Sequence, residues 1–341
     1  MPDMKILILG GTKFIGPHIV RRLAERGHEV TIFHRGETEA DLPQSIHHVH
    51  GDFSEFPKHV DQLRALSPEV VLDMVPFREE DAQRLKSFKG VARRVVAISS
   101  GDVYRAYGRL WRTEPGPPEP IPLTEDSPLR EKLSPAGLDY NKTAVERALT
   151  SDPVLAATIL RLPATHGPGD QQHRLYKYLK RMDDQRPFIL LDEALADWQW
   201  SRGYVEDVAR AIALAVTDER ATGRTYNVAD PTALTEAEWV RQIARVHGWK
   251  GEVLALPREQ LELSLRSDAF DLSQQYAVDT TRIRRELGYA EEVPFEEALR
   301  RTIEWERANP PDTVASEQFD YAAEDLCRAN VTRKGPRTRA W

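Results

Sequence analysis

The chain has one cysteine, Cys327, among its 341 residues, which excludes an internal disulfide framework and a Cys-x-x-Cys metal site. It has no apolar run near the ~20 residues that a membrane-spanning helix needs, and its start, MPDMKILILGG, enters a strand-like segment without a leader-peptide pattern. It has no basic excess either: the formal net charge is −7, which argues against a nucleic-acid partner because phosphate binding needs a basic face. We therefore expect a cytoplasmic protein that acts on a small molecule.

Strand-like and helix-like segments alternate over roughly the first 230 residues. The strand-like segments are KILILGG, HEVTIFHR, HHVHGD, PEVVLDMV, RRVVAISS, AATILRLP and TYNVAD, and helical periodicity is clear in YNKTAVERAL and VEDVARAIALAV. This alternation predicts an α/β fold, a doubly wound parallel sheet with helices on both faces. From about residue 231 the pattern changes to helices with short connections, which predicts a smaller, mostly helical C-terminal domain; Thr235 with Glu238 forms a capping box there.

These patterns predict two domains and a tail. Residues 1–165 and about 203–230 form the predicted dinucleotide-binding domain, and residues 166–202 and 231–311 form the predicted substrate domain. Residues 312–341 lose their periodicity, which predicts a mobile or docking extension of unknown role.

The segment ILGGTKFIGPHIV has the pattern of a strand, a glycine turn and the start of a helix. Gly10 and Gly16 fit the outer glycines of a GxxGxxG pattern, and Lys13 occupies the middle position. Such a turn lets the backbone approach a pyrophosphate, while the helix N-terminus presents free N–H groups. Because the turn follows the first strand of a doubly wound pattern, it predicts a dinucleotide site.

The end of the second strand indicates which dinucleotide binds. A free ribose 2′-OH usually meets Asp or Glu there, whereas this chain has His34 and Arg35. A guanidinium suits a 2′-phosphate, and Lys13 adds a second positive charge, so the sequence favours NADP over NAD. A solvated loop charge is the alternative role for Arg35. Asp52, after the third strand, is positioned either to accept from an adenine amino group or to cap a turn.

Several segments in a fixed order carry a family resemblance. They are GGTKFIG, GDFSE, ISSGDVY, LTEDSPL, KTAVE, LRLPATHGPGD, GYVEDVARAI, TYNVAD and LGYAEEVPFEEALRRTIEW, and they cover about residues 4–308. The chain resembles the extended short-chain dehydrogenase/reductases, in particular the NAD(P)-dependent epimerase/dehydratase group. The resemblance implies a Rossmann-type nucleotide domain, an NAD(P)-dependent enzyme and a homodimer built through the helix that carries Lys142 and its neighbour. The first motif with HRG also resembles the branch of chloroplast stem-loop-binding proteins and their bacterial relatives.

In this family a Ser or Thr, a Tyr and a Lys act together. The resemblance implies Ser100 as the serine that orients the substrate oxygen and Lys142 as the lysine that holds the nicotinamide ribose. The tyrosine is expected four residues earlier, one helical turn back, where this chain has Leu138. Tyr140 would point to a different face of a helix that included both residues. The sequence therefore predicts that Leu138 replaces the catalytic tyrosine.

The missing tyrosine leaves three alternatives open. Another group supplies the proton, with Asp102, Tyr104 and Tyr107 the nearest candidates; or the reaction needs no tyrosine; or the protein binds NADP without turning it over, as a sensor or RNA-associated protein. Asp102 favours chemistry, because a partly buried carboxylate beside a nicotinamide has the raised pKa that proton transfer requires. A turn residue that bonds its own backbone is the equal alternative for Asp102.

The complete set of expected site residues includes others besides those named above. The expected cofactor contacts are Gly10, Thr12, Lys13, Phe14, Ile15, Gly16, His34, Arg35, Asp52, Phe53, Val75, Pro76, Ser99, Lys142, Pro163 and Thr165, and the expected catalytic residues are Ser100, Asp102, Tyr104 and Lys142. Tyr107, Trp200 and Arg202 are expected near the substrate, with core packing the alternative for the tryptophan. His47, His48 and His50 show strand alternation rather than ligand geometry, so no metal is predicted.

Overall fold

A seven-stranded parallel sheet forms the centre of the computed structural model, which describes residues 3–38, 40–133, 137, 139–334 and 339–340. The strand order is β10-β6-β5-β4-β1-β2-β3, and every neighbouring pair is parallel. The strands are β1 (Lys5–Leu9), β2 (Glu29–His34), β3 (His47–His50), β4 (Val70–Asp73), β5 (Arg94–Ser100), β6 (Ala157–Leu162) and β10 (Thr225–Asn227). The predicted doubly wound sheet is confirmed.

Helices cover both faces of this sheet, as its apolar strands require. The helices are α1 (Ile15–Glu25), α2 (Phe56–Ala65), α3 (Ala82–Lys86), α4 (Arg105–Leu110), α5 (Lys142–Thr150) and α8 (Val205–Thr217). Ile6 and Ile8 of β1 belong to a core with side chains of α1 and α8, whereas Leu7 and Leu9 belong to a second core with side chains of α2, α3 and α5. A continuous apolar strand is therefore buried on both faces by the period-two alternation of its side chains.

The C-terminal half contains more strands than the sequence predicted. Strands β7 (Ala164–His166) and β9 (Arg202–Tyr204) pair in parallel, and β8 (Phe188–Asp192) pairs in parallel with β11 (Glu252–Leu256). The part after residue 231 is mostly helical, as predicted, but it also contains β11, which the sequence reasoning missed because a short apolar run alone does not distinguish a strand from a buried helix. The helices here are α6 (Tyr176–Asp183), α7 (Glu193–Ala196), α9 (Glu236–His247), α10 (Thr281–Leu287) and α11 (Phe295–Ala308).

The tail is more regular than predicted. It forms α12 (Tyr321–Lys334), and β12 (Arg339–Ala340) pairs antiparallel with β11. Arg181 Nε of α6 donates to Glu324 Oε1 at 2.8 Å, so α12 packs against α6. We call α6, α7, β8 and the elements that follow β10 in the chain the second lobe. The division into a dinucleotide-binding domain and a substrate domain stays a prediction. None of the described helices has the length and apolar character needed to cross a bilayer.

The capping box predicted at the start of α9 is confirmed. Thr235 Oγ1 accepts from the backbone N–H of Glu238 at 3.2 Å, and the Glu238 carboxylate accepts from the backbone N–H of Thr235 at 2.8 Å. Both donors would otherwise lack intrahelical partners. The helix therefore begins where the sequence predicts.

Candidate active site

A cleft of about 360 Å³ opens at the carboxyl ends of β1, β2 and β4. The predicted cofactor contacts that line it are Gly10, Thr12, Lys13, Phe14, Ile15, His34, Arg35, Phe53 and Val75. Further lining residues, not identified from the sequence, are Gly11, Glu37, Thr38, Met74, Phe77 and Ile98. Parallel strands bring these distant segments to one sheet edge, where open α/β folds bind ligands.

The glycine turn of this cleft fits a diphosphate. Gly10 has φ +92°, and a Cβ on Gly16 would lie 2.4 Å from the carbonyl carbon of Gly11, so only glycine fits there. Phe14 precedes α1 with φ 48° and provides no side-chain cap. The first N–H groups of α1 therefore lack a side-chain acceptor at the cleft and are suited to an anion.

Of the two residues expected near the adenosine of the cofactor, Arg35 lies at the cleft and Asp52 does not. Arg35 is half-exposed at the cleft and forms a 2.9 Å ion pair with Glu37. Asp52 instead caps a turn: its Oδ1 accepts from the Ser54 N–H at 2.7 Å, and the hydrogen bonds from Ser54 lower its pKa. Asp52 is absent from the cleft lining, so the turn-capping alternative describes it and the adenine contact is not supported.

Three imidazoles lie close together beside Arg35. The sequence pattern of β3 did not reveal this group, because one of the three, His34, comes from the neighbouring strand β2. Possible ligand nitrogens of His34, His48 and His50 lie within 4.8 Å of one another. The N–H of Gly36 donates to His34 Nδ1 at 3.2 Å, so in the neutral ring Nε2 carries the proton, which it donates to His48 Nδ1 at 2.9 Å. A protonated Nε2 has no lone pair for a metal, and the absence of a metal stays a prediction.

Tyr140 approaches the residues expected to be catalytic, because α5 begins at Lys142 rather than earlier. Asn141 is its N-cap, and the Asn141 side chain accepts from the backbone N–H of Ala144. The Tyr140 phenol lies close enough to Ser100 and Asp102 for both side chains to shift its pKa, and Lys142 Nζ lies 5.6 Å from its ring centroid. We call Ser100, Asp102, Tyr140 and Lys142 the catalytic cluster.

This geometry removes the reason for assigning the tyrosine position to residue 138. The assignment assumed one helix through both Leu138 and Lys142, and that assumption is wrong because the helix starts at Lys142. Leu138 itself lies outside the described residues. The replacement of the catalytic tyrosine is therefore not supported, and Tyr140 is a tyrosine that lies near both Ser100 and Asp102.

Burial sets the protonation states of the cluster. It raises the pKa of Tyr140, which the nearby Asp102 carboxyl raises further. It also raises the pKa of Asp102 against the opposing charges of Arg130 and Lys142, and it lowers the pKa of Lys142 to about 8. Although Tyr140 and Ser100 neighbour the Asp102 carboxyl, its buried Oδ1 accepts no hydrogen bond of good geometry from the described residues. The protonated Tyr140 phenol therefore lies beside a carboxylate oxygen, Asp102 Oδ1, that can still accept a hydrogen bond.

Lys142 connects the catalytic cluster to the nucleotide cleft. Its Nζ donates to Ile98 O at 2.8 Å and to Pro76 O at 3.3 Å, and it lies 4.8 Å from the ring centroid of Phe77. Phe77 and Ile98 line the cleft, and the Phe77 ring lies 5.7 Å from that of Tyr140. The phenol and the amine are therefore adjacent to the end of the cleft at β4 and β5.

The loop after β4 is held in place by a buried ion pair. Arg84 Nε donates to Asp73 Oδ2 at 2.9 Å, and its Nη2 donates to Val75 O at 2.8 Å. Asp73 Oδ1 in turn accepts from the Val75 N–H at 2.9 Å. These bonds fix the segment whose Pro76 carbonyl accepts from Lys142.

Two residues expected at the site belong to a structural network instead. The Tyr104 hydroxyl donates to Asn227 Oδ1 at 2.6 Å and accepts from Arg161 at 3.0 Å, and burial raises its pKa to about 12. The Ser99 hydroxyl donates to Glu146, which forms a 2.7 Å ion pair with Arg161. Catalysis by Tyr104 and a cofactor contact through the Ser99 hydroxyl are therefore not supported, because both hydroxyls are already bonded within the core.

The remaining cofactor candidates lie at the junction of β6 and β7. Thr165 Oγ1 donates to Pro163 O at 3.2 Å, and neither residue lines the nucleotide cleft. Gly16 is likewise not part of the lining and acts through its close approach to Gly11.

The residues expected near the substrate line a different region. Trp200 and Arg202 border two adjoining clefts of about 330 and 520 Å³, together with His166 and Trp239, which the sequence reasoning did not assign. Trp200 forms a backbone bridge with Tyr276, whose hydroxyl donates to Gly101 O, next to Asp102. This chain of contacts connects the clefts to the catalytic cluster.

Tyr107 also lies between these two regions. Its ring lies 6.0 Å from that of Tyr276, and the Asp102 carboxyl, after burial, raises its pKa. It therefore lies near Asp102 without lining either of these clefts, and its expected contact with the substrate stays a prediction.

The parallel sheet, the glycine turn and the uncapped helix N-terminus define a Rossmann-type NAD(P)-binding protein. The NAD dependent epimerase/dehydratase family model matches residues 6–229, and the chain belongs to this family. The chain is 27% identical over 264 residues to 2′-dehydrokanamycin reductase of Streptomyces kanamyceticus, covering 75% of this chain and 70% of that protein. It is 23% identical over 311 residues to chloroplast stem-loop binding protein of 41 kDa b of Arabidopsis thaliana, covering 87% and 78%.

A solved structure shares the fold. The Bordetella bronchiseptica enzyme WbmG in complex with NAD and UDP superposes with a TM-score of 0.68 at 18% identity, covering 90% of this chain and 96% of that one.

Proposed function

We propose that the protein is an NADP-dependent oxidoreductase of the epimerase/dehydratase type that acts at a carbinol or carbonyl carbon of a small or nucleotide-linked substrate. The observation that carries this proposal is the catalytic cluster beside the nucleotide cleft: a phenol next to Ser100, Asp102 and Lys142. The bound nucleotide supplies hydride exchange with the substrate carbon.

The residues of the cluster divide the remaining work. Because Tyr140 is protonated at neutral pH, it donates a proton to a carbonyl oxygen during reduction and recovers it during oxidation. Ser100 orients that oxygen, and the vacant Oδ1 of Asp102 accepts or relays the proton. Lys142 provides positive charge at the ribose end and holds the loop through its backbone bonds.

The preference for NADP rests on the charges at the end of β2. Arg35 and Lys13 line the cleft there, and a guanidinium matches the geometry of a phosphate. Glu37 competes for Arg35 in the unliganded protein, since the two form an exposed ion pair. Such a pair contributes about 0–1 kcal/mol, less than a charge-assisted bond to phosphate, so a 2′-phosphate displaces it.

The alternative function, a non-catalytic NADP sensor or RNA-associated protein, is not favoured. Its main support was the missing tyrosine, and Tyr140 removes that support.

The proposal is tested by Tyr140→Phe. We expect NADPH-dependent reduction of a keto sugar, chosen from a panel of free and nucleotide-linked compounds, to fall by about 10²–10⁴-fold. NADPH affinity, measured by fluorescence titration, should stay within about twofold, because the phenol transfers a proton and does not hold the nucleotide. The comparison variant is Leu138→Tyr, for which we expect unchanged turnover.

Two results would contradict the proposal. One is full turnover in Tyr140→Phe with a gain in Leu138→Tyr, which would return the acid to position 138. The other is the absence of saturable NADPH and NADP⁺ uptake, together with no reduction of any member of the panel.

A further inference from the structure

The smaller of the two clefts bordered by Trp200 and Arg202, which we call the second cleft, has an unusual set of polar groups. It has a volume of about 330 Å³ and is bordered by His166, Trp200, Arg202, Asp230 and Trp239. A role for this cleft rests on the proposed function, because the cleft would hold the substrate on which the catalytic cluster acts.

His166 presents a buried acceptor without a partner. Its Nδ1 lies 3.2 Å from Thr302 Oγ1, which donates its own hydrogen to Ala298 O at 2.7 Å. Thr302 therefore accepts from Nδ1–H, and Nε2 carries the lone pair. Nε2 is buried and has no hydrogen-bond partner among the described residues, although His166 is only 1% exposed. A buried acceptor left unpaired costs about 1–3 kcal/mol, so a donor group of a ligand is a favourable partner.

His166 remains neutral and uses its one N–H on Thr302, so its Nε2 has no hydrogen to donate to an anion. Burial lowers its pKa to about 3, and the positive charges of Arg202 and Arg174 lower it further. Its Nε2 is therefore an acceptor at every physiological pH.

Asp230 is a second acceptor, and it carries a negative charge once its carboxyl is ionised. No hydrogen bond or ion pair to its carboxylate is formed by the described residues, because Arg202 pairs with Glu236 and Arg284 pairs with Glu291. Burial raises the pKa of Asp230 to about 7, with further contributions from neighbouring carboxylates. The titratable groups that face it are Asp207 of α8, Glu291 before α11, Arg202 of β9, Arg284 of α10 and Tyr289.

The lining of the second cleft carries more negative than positive charge. Its charged residues are the three carboxylates of Asp207, Asp230 and Glu291 and the single guanidinium of Arg202. A diphosphate would meet net negative charge here, whereas an ammonium group would neutralise it. The indoles of Trp200 and Trp239 supply flat apolar walls for a ring.

We propose that the second cleft binds an aminated sugar or aminocyclitol ring, with an ammonium group at Asp230 and a donor hydroxyl or ammonium at His166 Nε2, rather than a nucleotide diphosphate.

The test is calorimetric titration of the NADP⁺-loaded protein with three compounds of different charge. Neamine carries two rings with ammonium groups, maltose carries two neutral rings, and UDP-glucose carries a diphosphate. We expect saturable binding of neamine at least about tenfold tighter than that of either other compound, a difference of about 1.4 kcal/mol.

Substitutions test where neamine binds and how its affinity depends on pH. Asp230→Asn should weaken neamine binding about tenfold, whereas Asp197→Asn, an exposed carboxylate with the same charge change, should alter it less than twofold. The ratio of wild-type to Asp230→Asn affinity should increase from pH 6 to pH 8, because Asp230 ionises near pH 7. His166→Leu should weaken binding, and His166→Gln, which keeps an acceptor, should retain more of it.

The proposed substrate class is wrong if UDP-glucose binds more tightly than neamine or if neamine does not bind. It is also wrong if Asp230→Asn and Asp197→Asn change the affinity for neamine equally. The proposed function fails separately, because it depends on NADPH uptake and on the loss of keto-sugar reduction in Tyr140→Phe. A protein that reduces a neutral or nucleotide-linked keto sugar but ignores neamine keeps that function and loses this inference.

Discussion

Tyr140 and Lys142 are two residues apart, yet both side chains reach the same cluster because the helix begins at the second of them. In a continuous helix, residues at this spacing lie about 200° apart and point to different faces. A residue before the N-cap is not bound by that periodicity. The Tyr140 ring packs against Phe77, and the N–H of Asn141 donates to Phe77 O at 2.7 Å, which ties this segment to the loop after β4. The position of the phenol therefore depends on a loop contact as well as on the helix.

Arg35 is the residue on which the nucleotide preference depends. We expect Arg35→Ala to weaken NADPH binding about tenfold, or about 1.4 kcal/mol, and to leave NADH binding within twofold. The reason is that only NADPH carries the phosphate that a guanidinium at this edge can bind. Fluorescence titration measures both affinities, with Arg26→Ala, an exposed arginine at the end of α1, as the matched control.

Glu37 gives the complementary measurement at the same position. Glu37→Gln should tighten NADPH binding, since it releases Arg35 from its ion pair. Equal losses of NADPH and NADH affinity in Arg35→Ala would show that the arginine has no selective role.

Among the elements, α5 connects the catalytic cluster to the core. Its first residue, Lys142, belongs to the catalytic cluster. Glu146, one turn later, forms a buried ion pair with Arg161 of β6 and accepts a hydrogen bond from Ser99 of β5. Residues four apart on a helix lie on the same face, so one face of α5 carries both the functional amine and its structural anchor. The position of Lys142 therefore depends on the buried ion pair between Glu146 and Arg161.

We expect Glu146→Gln to lower the free energy of unfolding by about 3 kcal/mol or more, because it leaves the Arg161 guanidinium buried without a counter-charge. Urea unfolding measures the change. The matched control is Glu219→Gln, which removes an exposed carboxylate whose 2.9 Å ion pair with Arg93 lies at the surface. That variant should change the free energy by less than about 1 kcal/mol. Equal effects of the two substitutions would mean that the buried pair does not anchor α5.

For the molecule as a whole, we propose the homodimer that the family resemblance implies, formed through the surface around α5. Val154 follows this helix and is 76% exposed, a position that suits an apolar contact. Light scattering should give a mass of twice the 38.8 kDa of one chain. Val154→Arg should shift the protein toward monomer, because a charge buried in an interface is costly.

Leu263→Arg is the control for this substitution. Leu263 is similarly exposed, at 74%, and lies in the second lobe far along the chain from α5. A single-chain mass for the wild type, or equal dissociation by the two variants, would contradict an interface at α5.

Much of the fold was predictable from local patterns. Apolar strands alternating with amphipathic helices predict a sheet that is buried on both faces, and all seven strands of the central sheet were identified this way. The glycine turn was readable because Gly10 and Gly16 meet requirements that no side chain can meet. By contrast, β8 and β11 were missed, because they lie outside the regular alternation of strands and helices, and a short apolar run alone does not distinguish a strand from a buried helix.

The amino-acid sequence alone determined the class of fold, the glycine turn and the nucleotide edge of the sheet, because these follow from local periodicity and from backbone geometry that neighbouring residues specify. Only the tertiary structure decided that Tyr140 joins Ser100 and Asp102, that Tyr104 belongs to the core, and that His166 and Asp230 border one cleft. The physical reason is that these groups come from segments far apart in the chain. Their meeting depends on where loops end, where α5 begins and how the two cores pack, and no local pattern encodes these distances.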